Sequence, residues 1–406
     1  MKNLFHLPIY IVGGYVRDLL LDRPGEDFDI VVEGDAIGLA RSLSSKFGGR
    51  VVSHSRFGTA KWQIREIAAD LVLQIADSMP LDPNELPDTL DFISARREFY
   101  EYPTALPTVE RSSIKLDLHR RDFTINTMAL RLDGRHHGEL YDYWGGLTDL
   151  KKKQIRVLHS LSFVDDPTRM LRAARFEQRF HFHIESRTLQ LIKEARDLLH
   201  QVSGDRIRHE FNLIFQEDDP PAVLSRLEDL ELLDAIIPGL HWGKQQITDW
   251  NNFIIQSGQS KEGGKNKYRK MFSPEDFWLV LFHQFDFSQL ENATLRLKLP
   301  VGTGKLLLAA ARLQSRLPEL PDLSTAEVVK LLDALPEASI RAVAAMNSTS
   351  PGGEVIRKYF ASWQKIHPII NGRNLEQMGI PRGPHYRTIL DDLRSAWISG
   401  EISSQP

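Results

Sequence analysis

Cysteine is absent from this 406-residue chain, which excludes disulfide frameworks and thiolate-held metal sites. That fits a cytoplasmic protein. No apolar stretch approaches the length of a membrane span, and Pro8 breaks the opening segment before a signal-like run develops. Net charge is also scarce. With 51 basic and 54 acidic residues the balance is -3, so no global positive field would draw in a polyanion. Nucleic-acid binding would need local patches, and two are present: His119-Arg120-Arg121, and the stretch from Lys151 to Arg179. Charge alone makes each of them a solvated surface. A composition of 42% hydrophobic and 26% charged residues is that of a globular protein long enough for two or three domains.

The first 150 residues read as α/β. The spacing predicts strands at Ile9 to Val12, Phe28 to Val32, Arg50 to Ser53, Thr59 to Ile64 and Leu71 to Ile75. Helical patterns run from Tyr15 to Leu21 and from Ala36 to Phe47. Ser78 to Thr89 is rich in Pro, Asp and Asn and reads as a loop. From about Gln154 the pattern turns helical, at Arg169 to Gln178, Ser186 to His200, Asp205 to Gln216, Pro221 to Leu232 and Tyr386 to Ile398. Ser257 to Lys270 is polar and linker-like. No solenoid repeat is visible.

The strongest local signal is Gly13-Gly14-Tyr15-Val16-Arg17-Asp18 followed by Asp27-Phe28-Asp29. Two glycines between a strand and a helix let backbone N–H groups approach a phosphate, and Arg17 in the first helical turn is within reach of the same group. Asp27 and Asp29 stand two apart on a strand, so both carboxylates point to one face and repel unless a divalent cation or a basic partner neutralises them. Each half alone reads as a glycine turn or an acidic strand edge. Together, in this order, they point to a metal–nucleotide site, with Mg²⁺ as the ion that suits carboxylate oxygens. Asp91 is the candidate third carboxylate; an ordinary polar residue beside a loop fits it equally.

Arg120-Arg121-Asp122-Phe123-Thr124-Ile125-Asn126 adds two arginines suited to a triphosphate, with Asp122 and Asn126 to hold them or a ribose. Read alone it fits a surface salt-bridge cluster as well. In Asp165-Asp166-Pro167-Thr168-Arg169-Met170-Leu171-Arg172-Ala173-Ala174-Arg175-Phe176, Asp166 and Pro167 read as helix cap and first helical residue. Arg169, Arg172 and Arg175 then recur every three residues. A solvated basic stripe is one reading. The sharper one sets Asp166 and Arg169 side by side as acceptor and donor. Cytosine and adenine both present an amino donor beside a ring-nitrogen acceptor, which this pair complements. Uracil and guanine present the reverse and are refused.

The ordered set GGYVRD, DFD, RRDFTIN and DDPTRMLRAARF resembles the class II tRNA nucleotidyltransferases and bacterial poly(A) polymerases of the DNA polymerase β superfamily. The resemblance is dense over about the first 215 residues, reaching Gly204-Asp205-Arg206 and Glu210, and returns in Asn371-Gly372-Arg373 and Gly379 to Pro384. It implies an α/β head with a mixed sheet over residues 1–150, a helical neck over 151–215 for base recognition, and a helical body and tail over 216–406 that grip the tRNA acceptor and T-arm. It further implies that Gly13, Gly14 and Arg17 contact the nucleotide, CTP or ATP, while Asp27 and Asp29 bind Mg²⁺. Arg121 would hold the triphosphate, with Asp122 and Asn126 beside it. Asp166 and Arg169 would form the base-reading pair, supported by Arg172 and Arg175. The activity implied is addition of all or part of the 3′-terminal CCA.

Two departures stand out. The family usually has Glu where this chain has Asp165, and the connection from Thr59 to Asp91 is longer than in compact members. The wording from Tyr100 to Asp117 is nearest to members that add only the terminal A. Addition of CCA, of CC or of A alone therefore stays open, as does oligomeric state. Poly(A) polymerase is the nearest rival, yet Ser55 to Ala60 stands where those enzymes carry a basic Gly-Arg-Arg-Phe-like element. A non-catalytic RNA-binding relative would be expected to have lost a carboxylate or the reading pair. Gly302-Thr303-Gly304-Lys305 lacks phosphate-loop spacing, and Leu306 stands where a hydroxyl residue is required. No histidine is assigned a role; His136-His137 reads as a surface turn.

Overall fold

The computed structural model describes residues 7–23, 28–75, 82–99, 108–256, 271–366 and 370–402. Strands β1 (Ile9–Val12), β2 (Asp29–Val32), β3 (Arg50–His54), β4 (Thr59–Gln63), β5 (Thr89–Ser94), β8 (Met128–Arg131) and β9 (Leu140–Asp142) form one sheet in the order β3-β4-β5-β2-β1-β8-β9. The sheet is mixed: β2 and β5 run parallel and every other neighbouring pair is antiparallel. Strands β6 (Arg96–Phe99) and β7 (Thr108–Arg111) pair separately as a hairpin.

Side-chain alternation divides the sheet between two helices. Ile9, Ile30, Val32 and Phe92 pack with Ala36, Ala40 and Leu43 of α2 (Ala36–Phe47). Tyr10, Val12, Val31 and Ala95 face the other way, onto Ile114 and Leu118 of α4 (Ile114–His119). Asp29 stands two residues from Val31, so its side chain lies on the α4 face. The parallel register sets Asp29 opposite Asp91 on the neighbouring strand. Helix α1 (Gly14–Leu20) leaves the end of β1 through Gly13, whose φ of 71° is a conformation that glycine adopts freely.

Leu71 to Ile75, expected as a strand, is instead the end of helix α3 (Ala68–Ile75). Leu71 and Val72 are buried while Leu73 is 82% exposed, so one helical face is buried and the next turned out. A five-residue apolar run does not separate strand from helix by periodicity. The expected loop from Ser78 begins among residues outside the description, and the expected linker Ser257 to Lys270 lies wholly outside it. Pro83–Glu85 forms a short 3-10 turn before β5.

Beyond the sheet come α5 (Gly146–Lys151), α6 (Ser162–Asp165), α7 (Thr168–Phe180) and α8 (Ser186–Ala195). Phe123 is fully buried in the loop after α4 and meets Phe176 of α7 edge-on at 5.8 Å, which pins α7 to the head. Strand contacts and packing group Met1–Val202 as one compact unit and Ser203–Pro406 as another. Helix α9 (Gly204–Ile214), expected with the neck, groups with the second unit. A Cβ on Gly204 would fall 2.1 Å from the Arg296 carbonyl oxygen, so the two segments pack backbone to backbone. The second unit is helical and built on a stack of aromatic rings: Phe215 lies on Phe277 at 4.6 Å and Trp250 on Phe277 at 4.4 Å. Gly302 to Lys305 opens the helix Val301–Arg316.

Removing the Phe123 ring should cost about 3–5 kcal/mol, the range for emptying a fully buried aromatic site. Urea unfolding of Phe123→Ala checks this; a loss under about 1 kcal/mol would mean that α7 is held by other contacts.

Candidate active site

The two-glycine turn is roofed by guanidinium groups. A Cβ on Gly13 would meet Arg121 Nη1 at 2.3 Å, and one on Gly14 would meet Arg17 Nη2 at 3.4 Å. Both arginines therefore lie directly over the turn. Arg17 is almost fully buried, and each of its nitrogens has a partner. Nε and Nη2 donate to the two Asp18 oxygens at 2.8 Å each, and Nη1 donates to Asn126 Oδ1 at 2.6 Å. Its flat face lies over the Phe180 ring at 4.5 Å. These three bonds use three of its five N–H groups, which leaves the second N–H on Nη1 and on Nη2 for a triphosphate. Arg121 is differently placed: its buried Nε has no hydrogen-bond partner.

Asn126 continues the chain of bonds by donating Nδ2 to Asp122 Oδ1 at 2.8 Å, while Arg172 Nη1 donates to Asp122 Oδ2 at 3.1 Å. Burial works against charge on Asp122, but Arg172, the Asn126 amide and Arg169 prevail and bring its pKa from 3.8 to about 2. Head and neck are thus joined through one carboxylate, because Asp122 precedes Phe123 and Arg172 sits on α7.

The neck residues take two different positions. Asp166 is extended at φ -143°, and Pro167 already has helical dihedrals. Asp166 Oδ1 accepts from the Thr168 backbone N–H at 3.0 Å and from its hydroxyl, so it caps α7 as its sequence position suggests. Arg169 is buried. Its Nη2 donates to the Arg120 carbonyl at 2.8 Å, and its Nη1 is buried with no acceptor. An orphaned buried guanidinium N–H is costly, which is consistent with a donor held for a bound partner. Arg175 is buried, with its guanidinium 5.0 Å from the Phe176 ring centroid.

Asp29 and Asp91 occupy one register row on adjacent strands, with Lys61 next along the row at 3.2 Å from Asp91. Hard carboxylate oxygens side by side, at the β2 end beside the Gly13 turn, fit a magnesium-type ion. Asp27 lies outside the described residues, and among the described residues no group of three acidic or histidine side chains is assembled.

Two contributors were not singled out from the sequence. Asp117 lies under Arg120 and Arg121, three and four residues on, and Phe180 lies under the sequence-distant Arg17. His159, unassigned before, stacks on His119 at 5.6 Å. Its pKa is lowered by burial, with Asp165 opposing and Arg169 and His119 reinforcing the shift.

Comparison with known proteins decides what this arrangement belongs to. Residues 9–156 match the family described as the Poly A polymerase head domain, and residues 181–242 match one described as "Probable RNA and SrmB- binding site of polymerase A". An A-adding tRNA nucleotidyltransferase of Halalkalibacterium halodurans is 32% identical across 96% of this chain and 84% of its own length. The chain belongs to the tRNA nucleotidyltransferase and poly(A) polymerase family. An A-adding enzyme of Geobacter sulfurreducens is 35% identical over 98% of the chain, although the chain spans only 44% of that relative. A CCA-adding enzyme of Geobacillus stearothermophilus is 26% identical over 98% of the chain and 90% of its own length. Among solved structures, the apo form II of a CCA-adding enzyme superposes with a TM-score of 0.76 at 31% identity, covering 97% of this chain and 88% of that one. The Thermotoga maritima CCA-adding enzyme complexed with tRNA gives 0.71 at 29% identity, covering 98% and 88%. Within the family's head, the sheet here carries the carboxylate row and the glycine turn, while α7 supplies the arginines. No helix among the described residues is long and apolar enough to cross a membrane.

The depressed Asp122 pKa has a definite sign. The unfolded carboxyl binds a proton near 3.8 and the folded one only near 2, so the contribution is full above 3.8 and is lost as pH falls through about 2. Asp122→Asn should therefore be less stable than wild type by about 2 kcal/mol at pH 7, with about half that gap gone at pH 3. Urea midpoints of the two proteins across that range check it. A gap that does not change with pH would show that Asp122 is not held ionised by its arginines.

Proposed function

We propose that this protein is a tRNA nucleotidyltransferase that adds the terminal A, joining AMP from ATP to a tRNA ending in CC and releasing pyrophosphate. The observation that carries the reading is Arg169 Nη1, a buried donor without an acceptor one helical turn from Asp166, on a guanidinium bonded to the Arg120 carbonyl beside the Arg121 that roofs the glycine turn. Addition of A alone is supported by the names of two relatives that align over nearly the whole chain at 35% and 32% identity, while a CCA-adding relative aligned as fully stands at 26% and a CCA-adding structure at 31%.

In the reaction the RNA 3′-oxygen attacks the α-phosphorus, its proton departs, and the bond to pyrophosphate breaks. The transition state carries charge on phosphate oxygens, so most of the protein's work is positioning and electrostatics. Arg121 holds the triphosphate over Gly13 and Gly14. Asp122 and Asn126 keep Arg17 and Arg172 in place around it, so little must rearrange when the nucleotide binds. Asp166 accepts from the adenine amino group, and Arg169 donates to the neighbouring ring nitrogen. Arg175 stiffens the helix that carries them. Asp29 and Asp91, with Asp27, would hold Mg²⁺, which when bound supplies the charge that lowers the pKa of the 3′-hydroxyl. Residues 1–150 carry the chemistry and 151–215 the base reading. Residues 216–406 grip the acceptor and T-arm by shape. Action on tRNA fits a cytoplasmic enzyme.

The test uses Mg²⁺ and three tRNA transcripts, ending before CCA, after the first C and after CC, each offered CTP, ATP or both. Extension of the CC-ended transcript alone, by one A, is expected. Extension of all three would make it a CCA-adding enzyme. Long A-tails on unrelated RNA would make it a poly(A) polymerase, and no extension of any RNA would leave a non-catalytic RNA binder.

A further inference from the structure

Asp117 belongs to none of the motifs considered above, yet it is 0% exposed and loaded with donors. Oδ1 accepts from Arg120 Nε at 3.1 Å and Nη2 at 2.9 Å, and from the Arg96 backbone N–H at 3.2 Å. Oδ2 accepts from Arg121 Nη2 at 3.3 Å. Burial opposes the charge, but Arg120 and Arg121 prevail and hold the carboxyl below its usual range. One buried anion therefore fixes two neighbouring arginines in different ways. Arg120 engages it with two nitrogens and turns aside. Arg121 touches it with one, which leaves Nε without a partner and Nη1 against the Gly13 backbone.

We infer that Asp117 is a positioning residue for the nucleotide, setting the Arg121 guanidinium over Gly13 so that its remaining N–H groups meet the triphosphate. The inference rests on the proposed nucleotidyl-transfer activity. It places Asp117 in the reaction through Arg121 and not by contact with substrate. The competing role is purely structural, closing the turn at Arg96 onto α4.

The experiment compares wild type, Asp117→Asn, Arg121→Lys and the double variant, using Mg²⁺, ATP and the CC-ended tRNA. Asp117→Asn should raise KM for ATP and the inhibition constant of inorganic pyrophosphate together, each by about tenfold, the equivalent of one charge-assisted hydrogen bond. KM for tRNA should stay within about twofold of wild type, well under that effect. The double variant should be no worse than Arg121→Lys, because the two substitutions remove one interaction. If Asp117→Asn does not fold, Asp117→Glu serves, since it keeps the charge and displaces it by one methylene; the same rise for ATP and pyrophosphate is expected. Multiplicative losses in the double variant, or a lower melting temperature with unchanged ATP and pyrophosphate constants, would overturn the inference. A wild-type enzyme that extends no tRNA would instead overturn the activity on which it rests.

Discussion

A guanidinium group buried away from water is tolerable only if carboxylates, carbonyls or aromatic faces surround it, and this protein buries Arg17, Arg169 and Arg175 within one small volume. Asp18, Asn126, Asp122, the Arg120 carbonyl and the rings of Phe176 and Phe180 surround them. The rest of the site follows from this lattice of charge. Asp122 ties the loop after α4 to α7, Asn126 ties that loop to α1, and Phe123 fills the space between them. Truncating one partner of such a lattice leaves the other charge buried and unpaired, so its members are coupled energetically.

The same constraint serves the chemistry. Donors that are fixed before the substrate arrives need little reorganisation when phosphate charge develops. Among the donors of this lattice, Arg121 Nε lies above the glycine turn and Arg169 Nη1 beside the cap of α7, each buried without a hydrogen bond. They sit where the proposed reaction needs a phosphate contact and a base contact. Across the sheet, the register of β2 against β5 brings Asp29 and Asp91 together, with Lys61 of β4 paired to Asp91.

What could be read in advance was local. Gly13-Gly14, the cap at Asp166 and the helix after it are each encoded within a few residues, because turn and capping preferences act over that range. Four of the sheet's seven strands were expected, but β5, β8 and β9 were not, and Leu71 to Ile75 was misread because a short apolar run fits either period. Phe180 was invisible because its partner Arg17 comes from α1, whereas Asp117 stands at helical spacing from Arg120 and Arg121 and only its bond to Arg96 of β6 needed the fold. Arg17 shows the reverse. Its motif was plain, but the Asp18, Asn126 and Phe180 partners that surround its side chain were not.

The central claim is that the orphaned Arg169 donor reads the base. Arg169→Ala, assayed on the CC-ended tRNA with each nucleoside triphosphate in turn, tests it most directly. The preference in kcat/KM for ATP over UTP and GTP should fall by about tenfold or more, the worth of one good base contact, while KM for tRNA changes far less. A variant that remains strictly selective for ATP but loses affinity for tRNA would contradict the account.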